Sequence, residues 1–283
     1  MSREKGKNLK NMAIPLTLIF LFVVYQIQLT NSSEGLEQSE IRGLGSKEKF
    51  YLKWMFRKGI SYNYEMIVDT ESVTSSVLSG HKKIDTSKAS SRFFLSITSL
   101  GNNVASMTID LVSLVINGET DRKTSFPKKL YELKMLSDGS VVHEQNIPIA
   151  QEHQLLLNML FSLPEKEVKW SEGWSKKIVI PPRDGKWAME GNGKFKVLGE
   201  VMFEGYKCIK IKSEFAINME NEKGPIKAKG YMTARGVSYF AYKEGKFIKS
   251  NMESDMKLTS ISEPADFKED LSMKQNIAIS LAN

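Results

Sequence analysis

The chain has 283 residues, of which 41 % are hydrophobic, 26 % charged and 10 % aromatic, a globular composition that excludes a collagen-like, wholly disordered or polytopic membrane protein. Forty basic against 33 acidic residues leave a net charge of +7, part of it concentrated in Arg3, Lys5, Lys7 and Lys10, so the body is only mildly basic. A single cysteine, Cys208, excludes an intrachain disulfide and any thiolate zinc or iron–sulfur centre built by one chain.

In chain order, a basic segment (1–11) precedes an apolar run from Met12 to Leu29. As a helix this run would cover roughly 27 Å, close to the hydrocarbon thickness of a bilayer. Residues 12–29 are therefore read as a transmembrane anchor or a signal peptide, with the basic side in the cytoplasm and the body outside it. Gln28 to Asn31 offer no pair of small residues for a signal peptidase, and no cysteine follows for a lipid anchor. Residues 30–49 are polar, rich in Ser, Gly and Glu, and read as a flexible linker.

From residue 50 to 276 the apolar residues alternate as in half-buried strands. Ile60, Tyr62, Tyr64, Met66 and Val68 alternate with Ser61, Asn63, Glu65 and Asp69, and Ile209, Ile211, Phe215 and Ile217 oppose Cys208, Lys210, Lys212 and Glu214. Gly139, Gly173, Gly205 and Gly245 each follow an acidic residue and mark hairpin turns, because such turns need positive φ. Between Pro148 and Pro164, Ile149, His153, Leu156, Leu157, Leu160 and Phe161 recur at helical spacing. The predicted fold is thus mainly β: large twisted antiparallel sheet(s), sandwich or half-barrel. One internal helix near 148–162 joins two strand sets, 50–146 and 165–260. Leu271 to Leu281 reads as a final strand or a frayed end.

The passage Leu163-Pro164, Val168, Gly173-Trp174, the strand Gly205 to Ile211 and the hairpin carrying Gly230-Tyr231, Gly236 to Phe240 and Glu244-Gly245-Lys246 resemble uncharacterised exported bacterial β-sheet envelope proteins. This sequence departs from them in having no lipobox cysteine. The resemblance implies a curved antiparallel sheet in the cell envelope, similar in kind to the half-barrels of LolA-like lipoprotein carriers, and it implies no catalytic residue.

Motifs that would carry chemistry fall short of their physical requirements. His143 and His153 stand ten positions apart across Pro148, whereas paired zinc ligands on a helix need one turn. Gly191-Asn192-Gly193-Lys194 is followed by a strand pattern, not the helix N-terminus that a phosphate loop requires, and is read as a loop leading into that strand. Asp138, Ser140 and His143 sit on one hairpin, while a hydrolase triad converges from separate loops. Glu165 with Glu167 and Glu220 with Glu222 are surface pairs at strand spacing. Catalytic residues, a metal site and a cofactor are accordingly not expected. The alternative is an exported hydrolase acting on cell-wall or carbohydrate polymer through two carboxylates across a cleft.

The remaining expectation is a non-catalytic, membrane-anchored binding or scaffold protein. A lipid-like ligand would lie against Phe93, Leu95, Met107, Ile109 and Leu111 of the first sheet and Leu156 and Leu160 of the helix, whereas a closed core with the helix packed into it would argue against a carrier. Trp170, Trp174 and Trp187 would form a partner-binding rim. The expected partners are the membrane, through residues 12–29, and a lipid or envelope protein; nucleic acid is excluded by the location.

Overall fold

The computed structural model describes residues 49–282 apart from 79, 102, 121–127, 143–150, 170–171, 181–187, 222–225 and 263–265. The run 12–29 and the linker lie outside the described residues; within them, no helix is long and apolar enough to cross a membrane.

Fourteen strands and one helix are described: β1 (Lys49–Phe50), β2 (Ser61–Leu78), β3 (His81–Gly101), β4 (Val104–Ile116), β5 (Glu119–Thr120), β6 (Lys128–Leu136), β7 (Val141–Val142), α1 (Gln151–Phe161), β8 (Val168–Lys169), β9 (Gly173–Ile180), β10 (Ala188–Phe203), β11 (Tyr206–Asn221), β12 (Lys227–Ala241), β13 (Lys246–Ser262) and β14 (Phe267–Leu281). β1 and β8 pair as a small ribbon. The other twelve form one antiparallel sheet in the order β7-β6-β4-β3-β2-β14-β13-β12-β11-β10-β9, with β5 on the side of β4. Among the described residues there is thus one large sheet rather than a sandwich of two, and the strand sets on either side of the helix are halves of it. Their seam is β14, the segment that read as a strand or a frayed end, which pairs with β2 along one edge and β13 along the other.

Tight hairpins set the neighbours. Asn117-Gly118 and Glu204-Gly205 both take positive φ, the two-residue geometry that matches strand twist. The strands are long, 15 to 21 residues in β2, β3 and β10 to β14, or roughly 50 Å and more at about 3.3 Å per residue. Strands of this length stay paired only if they twist and coil. Register shifts interrupt β10 at Val197/Gly199 and β12 at Tyr239/Phe240. Gly191-Asn192-Gly193-Lys194 lies within β10, not before it, and its glycines face inward where strands approach closely: a Cβ on Gly191 would stand 2.7 Å from the Ile217 Cα.

The sheet curls until its two edges meet. Lys176 of edge strand β9 reaches across to the β6–β7 turn, 3.4 Å from the Asp138 carboxylate and 3.0 Å from the Ser140 hydroxyl. Helix α1 runs beside both β7 and β9 and occupies the seam that these edges leave unpaired. Its burial is not confined to one stripe: Leu155, Leu157, Met159, Leu160 and Phe161 are all buried, as suits a helix packed into the core, the arrangement that argues against a guest lying on Leu156 and Leu160. Gly139 has φ 81° and sits directly against the Phe161 carbonyl, so no other residue fits that turn.

One end of the curled sheet is closed by a strap, residues 51–56. The strap is pinned by Trp54 N–H to the Ser137 carbonyl (2.8 Å) and by Met55 N–H to the Gly245 carbonyl (2.9 Å). Trp54, 1 % exposed, packs at ring-centroid distances of 5.5 to 6.4 Å against Phe56, Tyr62, Tyr64, Phe161, Phe240 and Phe247. The Tyr64 hydroxyl donates to the Phe247 carbonyl at 3.0 Å, and buried Glu200 accepts from Tyr242 at 2.8 Å and pairs with Lys207 at 2.6 Å.

Two tests follow from this closure. Trp54→Ala empties the centre of the aromatic plug and is expected to cost about 3–5 kcal/mol in chemical denaturation; a loss below about 1 kcal/mol would show that the plug does not hold the end shut. Burial alone would push the Asp138 carboxyl up, but the Ser140 hydroxyl and amide together with Lys176 hold it below the usual aspartate value. The stabilisation is therefore complete above the ordinary carboxylate range and disappears as pH falls through the lower, folded value. Asp138→Asn is expected to lower the melting temperature at neutral pH and to match the parent near pH ~2; an equal deficit at both would exclude the clasp.

Candidate functional site

Alternation along the strands gives the curled sheet two chemically distinct walls. Outward positions carry ion pairs from end to end of the strands, among them Lys177–Glu190 and Lys212–Glu214 at 2.6 Å, Arg235–Glu253 at 2.8 Å and Lys88–Glu71 at 2.9 Å. Each such exposed pair contributes little to stability, but together they mark a wall that faces water. This is the reverse of a transmembrane β-barrel, whose outer face is an apolar band and whose interior is polar.

Inward residues fall into rows that can be read directly from the register. At the plugged end, Ile209 and Phe240 pair across β11 and β12, and Tyr64 and Leu95 pair across β2 and β3. Higher up, one row runs Ile217, Met232, Met256, Met273 and Ser72, and below it another runs Phe215, Ala234, Ser254, Gln275 and Thr70. Near the far end the row is Ala228, Ser260, Glu269, Ser76 and Lys83. The inner wall thus passes from aromatic, through methionine and small residues, to polar.

Exposure divides by strand rather than by height, since toward the far end Ala228, Leu258, Ser260 and Ser262 on β12 and β13 stay buried at 1 to 4 %. Leu95, Ile97, Met107 and Met135 are 0 % exposed around the plug, while Met232, Ala234 and Met256 in the middle keep 7 %. Thr74, Ser76, Leu271 and Glu269 are half-buried, and Lys83 and Asp85 are exposed. The inner wall is sealed at the strap and, at the far end, opens on the side of β2, β3 and β14. Ten of the methionines, including Met66, Met189, Met219, Met232, Met252, Met256 and Met273, belong to the interior. Methionine has three rotatable bonds and no branching, so a wall of it adapts to guests that a Leu or Phe wall would not. Gly191, Gly193, Gly230 and Gly236 lie on the same wall and place no side chain in the interior.

Some polar groups on this wall are bonded to one another, while the Ser91 hydroxyl on β3 and the Trp174 indole N–H on β9 are buried without a partner. Ser238 and Ser250 hydroxyls lie 2.7 Å apart; Ser254 donates to Gln275, which donates to Thr70, each at 3.3 Å. Ser260 is 1 % exposed with no partner for its hydroxyl. Burial alone raises the Glu269 carboxyl above the usual glutamate value.

The lining residues expected from sequence all belong to one buried core, which also contains Met232, Met256 and Met273. Phe93, Leu95, Met107, Ile109 and Leu111 are buried at 0 to 4 %, and Leu160 and the less buried Leu156 belong to the same core as Trp54. Trp174 also points inward, stacked on Phe195 with centroids 4.9 Å apart, while Trp170 and Trp187 lie outside the described residues. His143 lies outside them too, His81 is exposed on a hairpin, Glu167 pairs with Lys49, and Glu220 with Lys229. Cys208 is fully buried on the outer side of the sheet in a small cluster with Val201, Ala241 and Ile248, and burial pushes its thiol up to about 12. It is a packing residue, inert as a nucleophile near neutral pH. The outer wall carries two shallow troughs of about 620 and 660 Å³, one beside Tyr231 and Lys257, the other beside Arg235 and Tyr239.

No family model and no curated protein sequence matches the chain. Solved structures with partial likeness include an outer membrane channel from Pseudomonas putida F1 at 7 % identity, covering 80 % of this chain and 97 % of that one with a TM-score of 0.22. A DUF1329 family protein from Desulfovibrio piger matches at 7 % identity over 73 % of this chain and 83 % of that one, with a TM-score of 0.16. The outer membrane protein OmpT of Vibrio cholerae, in its trimer form, matches at 7 % identity over 80 % and 100 %, with a TM-score of 0.22. Scores of this size do not amount to a shared fold, and the polarity of the two walls rests on this chain's own residues.

Proposed function

We propose that the chain is a non-catalytic binding protein of the cell envelope, held at the membrane by residues 12–29, whose curled sheet takes a lipid-like guest through its open end. The observation that carries this reading is the methionine row Met232, Met256 and Met273, on neighbouring strands of the inner wall, above an aromatic plug and below a polar mouth. An apolar chain lying along that row would meet adaptable side chains, and the charged outer wall would keep the loaded protein in water. The basic segment and apolar run at the N-terminus support an extracytoplasmic body, and the single buried thiol suits an oxidising compartment. Compared with the arrangement expected from sequence, the guest lies nearer the open end, because Trp54 of the strap and Phe161 of α1 pack against Tyr64, the cross-strand partner of Leu95.

Organic extraction and mass spectrometry of the full chain, isolated from its own membrane fraction without added lipid, test the reading. About one amphiphile per chain is expected, and Met256→Trp, which fills the row with a bulky ring, should abolish it while the thermal transition remains cooperative. An extract of the parent chain with no amphiphile near stoichiometry would overturn the proposal and favour a scaffold that binds protein partners on its outer wall.

A further inference from the structure

The open end of the inner wall carries a feature that chain binding alone does not require. Glu269 and Ser260 are cross-strand partners on β14 and β13, one row beyond Leu258 and Leu271 and two rows beyond Met256 and Met273. β14 has no bulge against either neighbour, so Glu269 shares the inward face of Met273 and Ile277. No ion pair or hydrogen bond reaches Glu269 among the described residues, and the Ser260 hydroxyl, shut away from solvent, is unpartnered. Many other acids on this sheet pair with a lysine, as Glu220 does with Lys229 and Asp270 with Lys268. On the Glu269 row the nearest lysine by register is Lys83, two strands away, and it pairs with Asp85 at 2.7 Å.

A half-buried carboxylate without a counter-charge and a buried hydroxyl without a partner are both unfavourable in an empty protein, since each loses water and gains nothing. One kind of guest repairs both: a hydrogen-bond-donating cation at the head of an apolar chain. We propose that Glu269 and Ser260 form a head-group site for a primary ammonium, the tail of the same molecule lying along Met256 and Met273; this rests on the reading of the interior as a lipid-like guest site. Successive residues of one strand face are about 6.8 Å apart, so the two-row step from Met273 to Glu269 puts an ammonium at Glu269 roughly 14 Å from the start of the methionine row, within reach of a dodecyl chain. Glu269 supplies charge and an acceptor, and the Ser260 hydroxyl supplies a second acceptor.

Equilibrium dialysis of the full chain, delipidated and held in a fluorinated surfactant, against radiolabelled dodecylamine, dodecanol and dodecanoate tests the site. The parent chain is expected to bind dodecylamine about tenfold more tightly than dodecanol and dodecanoate most weakly, although its net charge of +7 favours the carboxylate. Glu269→Gln should bring dodecylamine to the level of dodecanol and leave dodecanol unchanged, and it should raise the melting temperature of the guest-free chain. Ser260→Ala should weaken dodecylamine by a smaller factor. Equal binding of all three probes, or an unaltered order in Glu269→Gln, would overturn the head-group site while leaving the tail site standing. Failure of every probe to bind would overturn the tail site as well, and with it the proposed function.

Discussion

A sheet with one apolar face and no second sheet to cover it can bury that face only by curling onto itself. The architecture answers this constraint throughout. Eleven strands run in one unbroken path, and the residues of the two edges that cannot pair are joined by Lys176 to Asp138 and bridged by α1. The strap closes the end where the strands begin and end in short turns, and Trp54 gives that end a centre around which six aromatic rings pack. β14 is the least expendable strand, because without it the halves β2–β7 and β9–β13 would each present an open edge.

Local pattern makes much of this readable from the sequence. The alternation in β2 and β11, the turns at Gly139, Gly205 and Gly245 and the helix ahead of Pro164 all express short-range rules of period and φ. What local pattern does not encode is closure. Nothing in the stretch Phe267–Leu281, where Gln275 and Glu269 interrupt the apolar face, says that it lies at the middle of the sheet. Trp54 lies in a segment with no period, so its place in the plug depends on contacts with residues nearly two hundred positions away. By sequence alone Gly191 and Gly193 read as a loop because glycine is rare in strands, yet here they relieve close backbone approach in a coiled strand.

The same distinction holds for the site. Phe93, Leu95, Met107, Ile109 and Leu111 were legible as one apolar face, and so were Leu156 and Leu160, but which end of that face is filled depends on the strap and the helix. Met232, Met256 and Met273 each stood in an alternating strand; their alignment into a row needs the register of β12, β13 and β14, which sequence alone does not supply. Glu269 was hidden for the same reason. Its significance comes from the face it occupies, opposite to that of the ion-paired Asp270 beside it.

The proposed guest site requires an inner wall that is solid at the strap and admits small molecules at the methionine row. Cysteine accessibility measures this difference directly, because native Cys208 is fully buried with a thiol held far above neutral pH and stays silent. In the folded full chain, Met256→Cys is expected to react with a small methanethiosulfonate reagent within minutes and to be protected by dodecylamine, whereas Ile97→Cys, at the plugged end, stays unmodified until the chain is denatured. Equal resistance of both thiols in the native protein would show a core packed from end to end and contradict the account.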